Sequence, residues 1–230
     1  MEEAGFHLPG PTERVLINGR TGSGKTVFGS WLLSRMNFLE MPWVILDWKR
    51  DELLGGITHA RQIGPGEKPP YKPWLYHMKL DPGDNDLEKW LQQVWARGGV
   101  GLYVDEGYEL PDVMARREGS VVRRIQTQGR SLRIPVITLT QRPSMLSKFF
   151  KSEVSYYAAF DLNDEADQKT VKGYVPKNDP VWNFDMELPD YHCRWYEVAN
   201  NFSCILKPVP KPAKILAAFE QRLSIKPTWV

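Results

Sequence analysis

The segment Gly19-Arg20-Thr21-Gly22-Ser23-Gly24-Lys25-Thr26 constrains this chain more than any other. It satisfies G-x-x-x-x-G-K-[ST] at every position. The chemistry of polyphosphate binding dictates those residue types. Glycines let successive backbone N–H groups turn inward as an anion-binding nest. A helix that starts at the loop adds the positive end of its dipole. Lys25 is placed to reach the β- and γ-phosphates, and the Thr26 hydroxyl to ligate Mg²⁺. At average glycine usage of about 7%, such a pattern arises by chance in roughly one chain in a hundred of this length. Context cuts that further. The apolar run Arg14–Asn18 precedes the loop, and Val27, Phe28, Trp31, Leu32, Met36 and Leu39 follow at helical spacing. The reading is a nucleotide site built from Gly19, Arg20, Thr21, Gly22, Ser23, Gly24, Lys25, Thr26 and Val27, with ATP and Mg²⁺ as its cofactors.

Further apolar runs follow: 43–47 (WVILD), 74–80, 100–104 (VGLYV), 135–140 (PVITLT) and 154–160. Between them lie helical patterns at 86–97, 119–132 and 165–172, and a Gly/Pro-rich loop at 55–73. Buried runs without alternation, separated by helices, argue for an α/β fold: a mainly parallel sheet covered on both faces. Residues 193–198 and 202–206 are expected to pair as a hairpin across Asn200–Asn201. From Lys207 the chain turns proline-rich, with one short helix near 213–223. The 230 residues suit one domain. The expected division is a catalytic unit at 1–206 and a tail at 207–230. The nine tryptophans fall mostly on apolar faces and are read as core.

The run 100–104 ends in Asp105 and Glu106. Asp105 is read as completing the Mg²⁺ shell, directly or through water. Glu106 points elsewhere and is read as the base that orients and deprotonates the attacking water. The competing reading is an ordinary strand-to-loop acidic pair, which the phosphate loop makes the weaker one. In a parallel sheet the C-terminal strand ends gather at one edge, where ligands bind. Gln141, ending the run 135–140, is therefore read as a sensor of the γ-phosphate or its water. A solvated loop glutamine is the bland alternative. Asp47 and Lys49 end the second strand at that edge, either supporting the site or forming a plain surface ion pair.

The net charge is only +2, from 30 basic and 28 acidic residues. That excludes a uniformly basic nucleic-acid coat but not a locally basic face. Between Arg116 and Lys151 stand nine basic residues and one acid, Glu118, whereas 161–190 holds eight acids and three lysines. The basic stretch is read as flanking the strand ends that carry the nucleotide chemistry. Two flexible segments in it, 107–119 and 142–151, would line a channel and touch phosphates. A solvated basic face is the alternative. Hydrolytic P-loop motors often take an arginine from a neighbouring subunit to neutralise transition-state charge. Arg130 is the first candidate, with Arg133, Arg124 and Arg142 behind it. Such a role demands a ring.

Two cysteines, Cys193 and Cys204, are too few for a disulfide scaffold and fit no zinc spacing. No run of 18 apolar residues exists, and the first residues do not read as a secretory signal.

These parts in this order resemble the FtsK–HerA superfamily of DNA-pumping ATPases. The resemblance rests on GRTGSGKT, on GLYVDE, and above all on QGRSLRIPVITLTQRP at 128–143. The last is similar to the family's arginine segment, strand and terminal Thr-Gln-Arg-Pro. The match covers roughly residues 12–175. It implies a RecA-like (ASCE) P-loop core working as a ring, a hexamer. In that core Lys25 and Thr26 meet phosphate and Mg²⁺, Asp105 the metal and Glu106 the water. Gln141 would be the sensor and Arg130 the trans finger. Cellular division translocases carry membrane segments and a separate DNA-reading domain, and archaeal helicase-like members an extra N-terminal barrel. Here about a dozen residues precede the first strand. By size, the chain is similar to the genome-packaging ATPases of tailless, internal-membrane-containing DNA viruses. The implied function is an ATP-driven translocase that packages double-stranded DNA into a preformed capsid, located at the virion packaging vertex or in host cytoplasm. Its implied partners are duplex DNA, further copies of the chain and capsid vertex proteins. Two rivals stay open: a plasmid conjugation or mobilisation ATPase, and a non-translocating nucleotide switch in virion assembly. The tail 207–230 is assigned to docking on the capsid vertex, so its removal should spare ATPase activity.

Overall fold

Short runs of β-branched and aromatic residues form the strands, and loops rich in Gly, Pro and Asp join them to amphipathic helices. A computed structural model describes residues 6–111 and 120–224. In chain order the elements are β1 (Arg14–Asn18), α1 (Lys25–Arg35), β2 (Trp43–Asp47), α2 (Glu52–Gly55) and β3 (Arg61–Gln62). Next come β4 (Leu75–Lys79), α3 (Asp86–Arg97), β5 (Gly101–Val104), α4 (Val121–Gln128) and β6 (Val136–Thr140). The chain ends with α5 (Lys148–Ser152), β7 (Tyr156–Ala159), α6 (Glu165–Lys172), β8 (Cys193–Glu197), β9 (Phe202–Leu206) and α7 (Pro212–Leu223). Among the described residues no helix is long and apolar enough to cross a membrane.

The strands form one nine-stranded sheet in the order β3-β4-β2-β5-β6-β1-β7-β8-β9. Pairing is parallel from β3 through β7, and antiparallel where the β8–β9 hairpin joins β7. Every residue of β1, β2, β5 and β6 is buried, as expected of central strands covered on both faces. In α3, Leu87, Trp90, Leu91 and Val94 are buried at i, i+3, i+4 and i+7, a stripe turned to the core. In α1, Phe28, Leu32 and Leu33 do the same. The mainly parallel sheet flanked by helices is as the sequence implied.

The register places the site. Asn18 lies opposite Thr140, Val104 opposite Thr138, and Leu46 opposite Val104. The C-terminal ends of β1, β6, β5 and β2 therefore stand side by side. Because β6 sits between β1 and β5, Gln141 emerges between the phosphate loop and the Asp105–Glu106 pair.

Two expectations need correction. Segment 142–151 is folded, not a free loop: Pro143–Met145 makes a 3₁₀ turn, α5 follows, and Leu146 and Phe150 are buried. Lys151 is buried too, with Nζ donating to the carbonyls of Pro143 (3.2 Å) and Leu146 (2.7 Å). The second concerns the helix of the tail. Ile215, Phe219 and Leu223 of α7 enter the same core as the sheet. Phe219 stacks on Phe38 at 6.1 Å, and Arg222 donates to the carbonyls of Ser34 and Met36 beside the end of α1. The expected flexible stretch 107–119 is described only to Pro111, where Gly107–Glu109 form a 3₁₀ turn. Its remainder, with Arg116, Arg117 and Glu118, lies outside the described residues, as does the start of the helix expected at 119.

Candidate active site

The phosphate loop connects β1 to α1 and is anchored at both sides. Gly19 N donates to Thr140 O (3.3 Å), and Arg20 N to Asp161 O (3.1 Å) just after β7. Asp161 is held in turn by Arg194, fully buried, whose guanidinium reaches its carboxylate (3.3 Å) and three backbone carbonyls. Gly24 caps α1 at φ +100°, a conformation that side chains resist. No side chain caps α1, so its leading N–H groups stay available to an anion. Lys25 Nζ donates to Arg20 O at 2.9 Å, across the mouth of its own loop. Burial first, and the neighbouring Lys49 charge second, push its pKa down to about 8. Polyphosphate at the loop would reverse that, by supplying the negative charge the buried ammonium lacks.

Asp105 and Glu106 follow β5 and are 0% and 1% exposed. Burial pushes the Asp105 carboxyl up to about 7, against the pull of Lys49 and with Asp47 and Asp51 adding to the rise. Neither of its oxygens accepts a hydrogen bond. Two orphaned buried carboxylate oxygens beside a phosphate loop fit a divalent cation. Among the described residues no group of three or more His, Cys, Asp or Glu could hold a metal. A cation here would thus depend on substrate phosphates, as Mg²⁺ commonly does.

Lys49 Nζ lies 2.7 Å from Glu106 Oε2 and 3.8 Å from Asp105 Oδ2. Burial would lower the Lys49 pKa, but the Asp105 and Glu106 charges outweigh it and hold it above the ordinary lysine value. Of the two readings the sequence left open, the structure has Lys49 in contact with the site. Asp47 turns the other way and pairs with His77 on β4 at 2.9 Å, both side chains fully buried. Gln141 bridges the two halves: its side-chain oxygen accepts from Thr21 Oγ1 (2.7 Å), and its backbone N–H donates to Glu106 Oε1 (3.3 Å). Lys25, Glu106 and Gln141 thus gather beside the loop, with the Glu106 charge acting on Lys25.

No family model matches the chain. The DNA packaging ATPase P9 of Enterobacteria phage PRD1 is 35% identical over 223 residues, 94% of this chain and 95% of that protein. The chain belongs to this family of DNA packaging ATPases. The genome packaging NTPase B204 of Sulfolobus turreted icosahedral virus 2, solved with AMPPCP, matches with a TM-score of 0.67. That match covers 87% of this chain and 100% of that one at 18% identity. The pCW3 conjugation coupling protein TcpA, solved with ATPγS, matches with a TM-score of 0.61 at 13% identity, over 90% of this chain and 64% of that one. At those identities the likeness is one of fold, the P-loop ATPase architecture. The chain is an ATPase, and as such binds ATP.

Among the described residues, the arginines of the basic stretch do not all flank the strand ends that carry Glu106 and Gln141, as the sequence reading expected. Arg130 lies in the turn before β6, at the N-terminal edge of the sheet, near Arg14 at the start of β1. That is the edge opposite Glu106. Arg133 shares the turn; both are exposed and, among the described residues, without an ion pair. Arg124 packs on Trp95 and Arg123 on Phe149. Arg142 is at the catalytic edge but pairs within the chain, to Asp167 (3.1 Å) and Asp164 (3.5 Å) at α6. Thr26 and Val27 open α1 and are half-buried. The sequence reading put Lys49 at this edge but did not single out Glu106 as its partner, since its only signal was a lysine just past a strand end. It also missed Tyr191, which lies against Gly24 and carries no local motif.

Proposed function

We propose that this packaging ATPase is a motor that couples ATP hydrolysis to movement of double-stranded DNA into a preformed capsid. The observation that carries the reading is the convergence of Lys25, Glu106 and Gln141 beside the phosphate loop, in a chain 35% identical to a phage DNA packaging ATPase. Thr26 and the Asp105 carboxylate, whose oxygens accept no hydrogen bond, would hold Mg²⁺, which would supply positive charge against the phosphates. Lys25 trades the Arg20 carbonyl for phosphate. Glu106, released from Lys49, accepts the proton of the attacking water, and Gln141 links the state of the loop to Glu106. Arg130 stands at the wrong edge to serve its own nucleotide, which supports a trans role and hence a ring, here taken as a hexamer. Placement at the packaging vertex, with capsid proteins as neighbours, follows from the same reading. The 207–230 segment docking there is a proposal about surface, since α7 belongs to the core.

Two measurements test this. ATPase rate should rise with linear duplex DNA at low salt, and the stimulation should fade steeply with added salt as phosphate contacts are lost. A rate indifferent to DNA would remove the motor and leave the assembly switch. Separately, Glu106→Gln and Arg130→Ala should each be inactive, yet activity should return when the two are mixed. Mixed rings would contain interfaces with one intact Glu106 facing one intact Arg130. Failure to complement would dismiss Arg130 as the trans group.

A further inference from the structure

We propose that the base of the bound nucleotide sits in an apolar cavity between Tyr191 and the proline-rich segment 208–212, so that the C-terminal segment closes the nucleotide site. The inference rests on reading the 19–26 loop as the phosphate site, and deepens it.

The cavity measures about 240 Å³. One wall is the end of the phosphate loop and the first turn of α1, with Gly24, Val27 and Phe28. Tyr191, against Gly24, and the segment Pro208-Val209-Pro210 complete the lining with Phe160. A nucleoside triphosphate is one covalent chain, so its base must fall beside its phosphates. Gly24 caps the helix whose N–H groups face the phosphates, and it also lines the cavity. The two sites are therefore continuous.

The chemistry of the walls suits a nucleobase. They are apolar and aromatic, with Lys211 the one charged residue among those lining the cavity. A base offers flat π faces that stack on an aromatic ring whatever its edge carries. Tyr191 is 60% exposed, although its ring touches Gly24: a Cβ there would lie 3.1 Å from Tyr191 Cδ1. Its backbone is held at φ +60°, a left-handed conformation rare for an aromatic residue outside constrained sites. An exposed ring in a constrained pose over an apolar cavity has a face to offer. The prolines form a wall with little freedom to lose on binding.

A second cavity adjoins the loop on its Arg20–Ser23 side, but it suits a base poorly. It holds about 100 Å³ and shares Tyr191 with the first cavity, but Arg20, Asp161, Asp190 and His192 make its lining largely polar, with little apolar surface for a base.

The experiment is steady-state ATPase kinetics on the full chain. Tyr191→Ala should raise KM for ATP roughly 5- to 150-fold, the range that loss of one base–aromatic stack corresponds to, with kcat little changed. Tyr191→Phe should restore KM. Inhibition by inorganic tripolyphosphate, which has no base, should be equal in all three proteins. An unchanged KM in Tyr191→Ala overturns the proposal, and so does weakened tripolyphosphate inhibition, which would mean damage to the loop itself. Photolabelling with 8-azido-ATP gives an independent reading. The label should map to peptides containing Tyr191 or residues 208–212, and exclusive labelling elsewhere overturns the assignment. Failure of the parent reading looks different: the unmodified chain would neither hydrolyse ATP nor respond to tripolyphosphate.

Discussion

Lys25→Met is expected to abolish ATP hydrolysis and yet make the nucleotide-free protein more stable. Lys25 is 6% exposed, and one carbonyl, that of Arg20, accepts from its ammonium. Burial, with the Lys49 charge second, takes its pKa from 10.5 to about 8. At roughly 1.36 kcal/mol per pH unit, this corresponds to about 3 kcal/mol lost in keeping the charge inside the empty fold. Methionine retains the aliphatic stem without the charge. Losing the bond to Arg20 takes back about 1 kcal/mol. The net gain is about 2 kcal/mol, or roughly 4–8 °C in Tm for a chain of this size.

The gain must depend on pH. Below pH 8 both folded and unfolded chains hold the proton, and the cost is fully present. Between about 8 and 10.5 the unfolded chain binds more protons than the folded one, so wild-type stability rises with pH. Above that range both are neutral and the cost is gone. Thermal unfolding without nucleotide or divalent cation, at about pH 7 and about pH 9.5, reads the difference. The advantage of the methionine variant should shrink markedly at the higher pH. With Mg-ATP present the order should reverse, because only the wild type gains ligand binding energy. A variant less stable than wild type at neutral pH, or an advantage that ignores pH, would refute the account of Lys25 as a buried, under-compensated cation.

Removing residues 207–230 should unfold the protein rather than leave an active core. Burying Ile215, Phe219 and Leu223 contributes roughly 1.5–3 kcal/mol each, together comparable with the whole stability of a domain. Phe219→Ala alone should lose about 3–5 kcal/mol in urea unfolding. Lys49→Ala leaves two buried carboxylates without their ammonium and should lower stability by about 3 kcal/mol. A Glu106→Gln background should recover part of that, and a double-mutant cycle would give the coupling directly.

The position of the candidate site was legible because its parts are short motifs at the ends of apolar runs. Once the runs are read as parallel strands, geometry does the rest: β1, β5 and β6 deliver Lys25, Glu106 and Gln141 to one edge without any further information. What could not be read depends on which way a long side chain turns after its strand ends. Lys49 and Asp47 are two residues apart, yet one meets Glu106 and the other His77. Period-2 arguments stop where the strand stops. The placement of Tyr191 against Gly24 is a tertiary contact between distant segments with no pattern in either. The tail was misjudged for a related reason. Its prolines signal an irregular connection, but the helix beyond them carries Ile215, Phe219 and Leu223 at i, i+4 and i+8, a core-facing stripe that composition alone hides.

The charge pattern is the place where a count along the chain misled, and its resolution bears on how DNA would be gripped. Within the basic segment, Lys151 is used up on two carbonyls, Arg142 on two carboxylates, and Arg123 and Arg124 on aromatic rings. Among the described residues of that segment, Arg130 and Arg133 are exposed with no such contact, while exposed Lys148 lies over the Phe149 ring at 5.4 Å. Arg130 and Arg133 stand at the edge opposite Glu106, where the proposed trans role would engage Arg130. The described residues of this segment therefore offer few free cations to a phosphate backbone. Each phosphate neutralised contributes only about one unit to the salt dependence of binding, so one subunit alone should hold duplex DNA weakly. Strong, sequence-independent binding must then come from repetition of the same few contacts around a ring. The salt dependence should accordingly scale with the number of subunits engaged, not with the net charge of the chain.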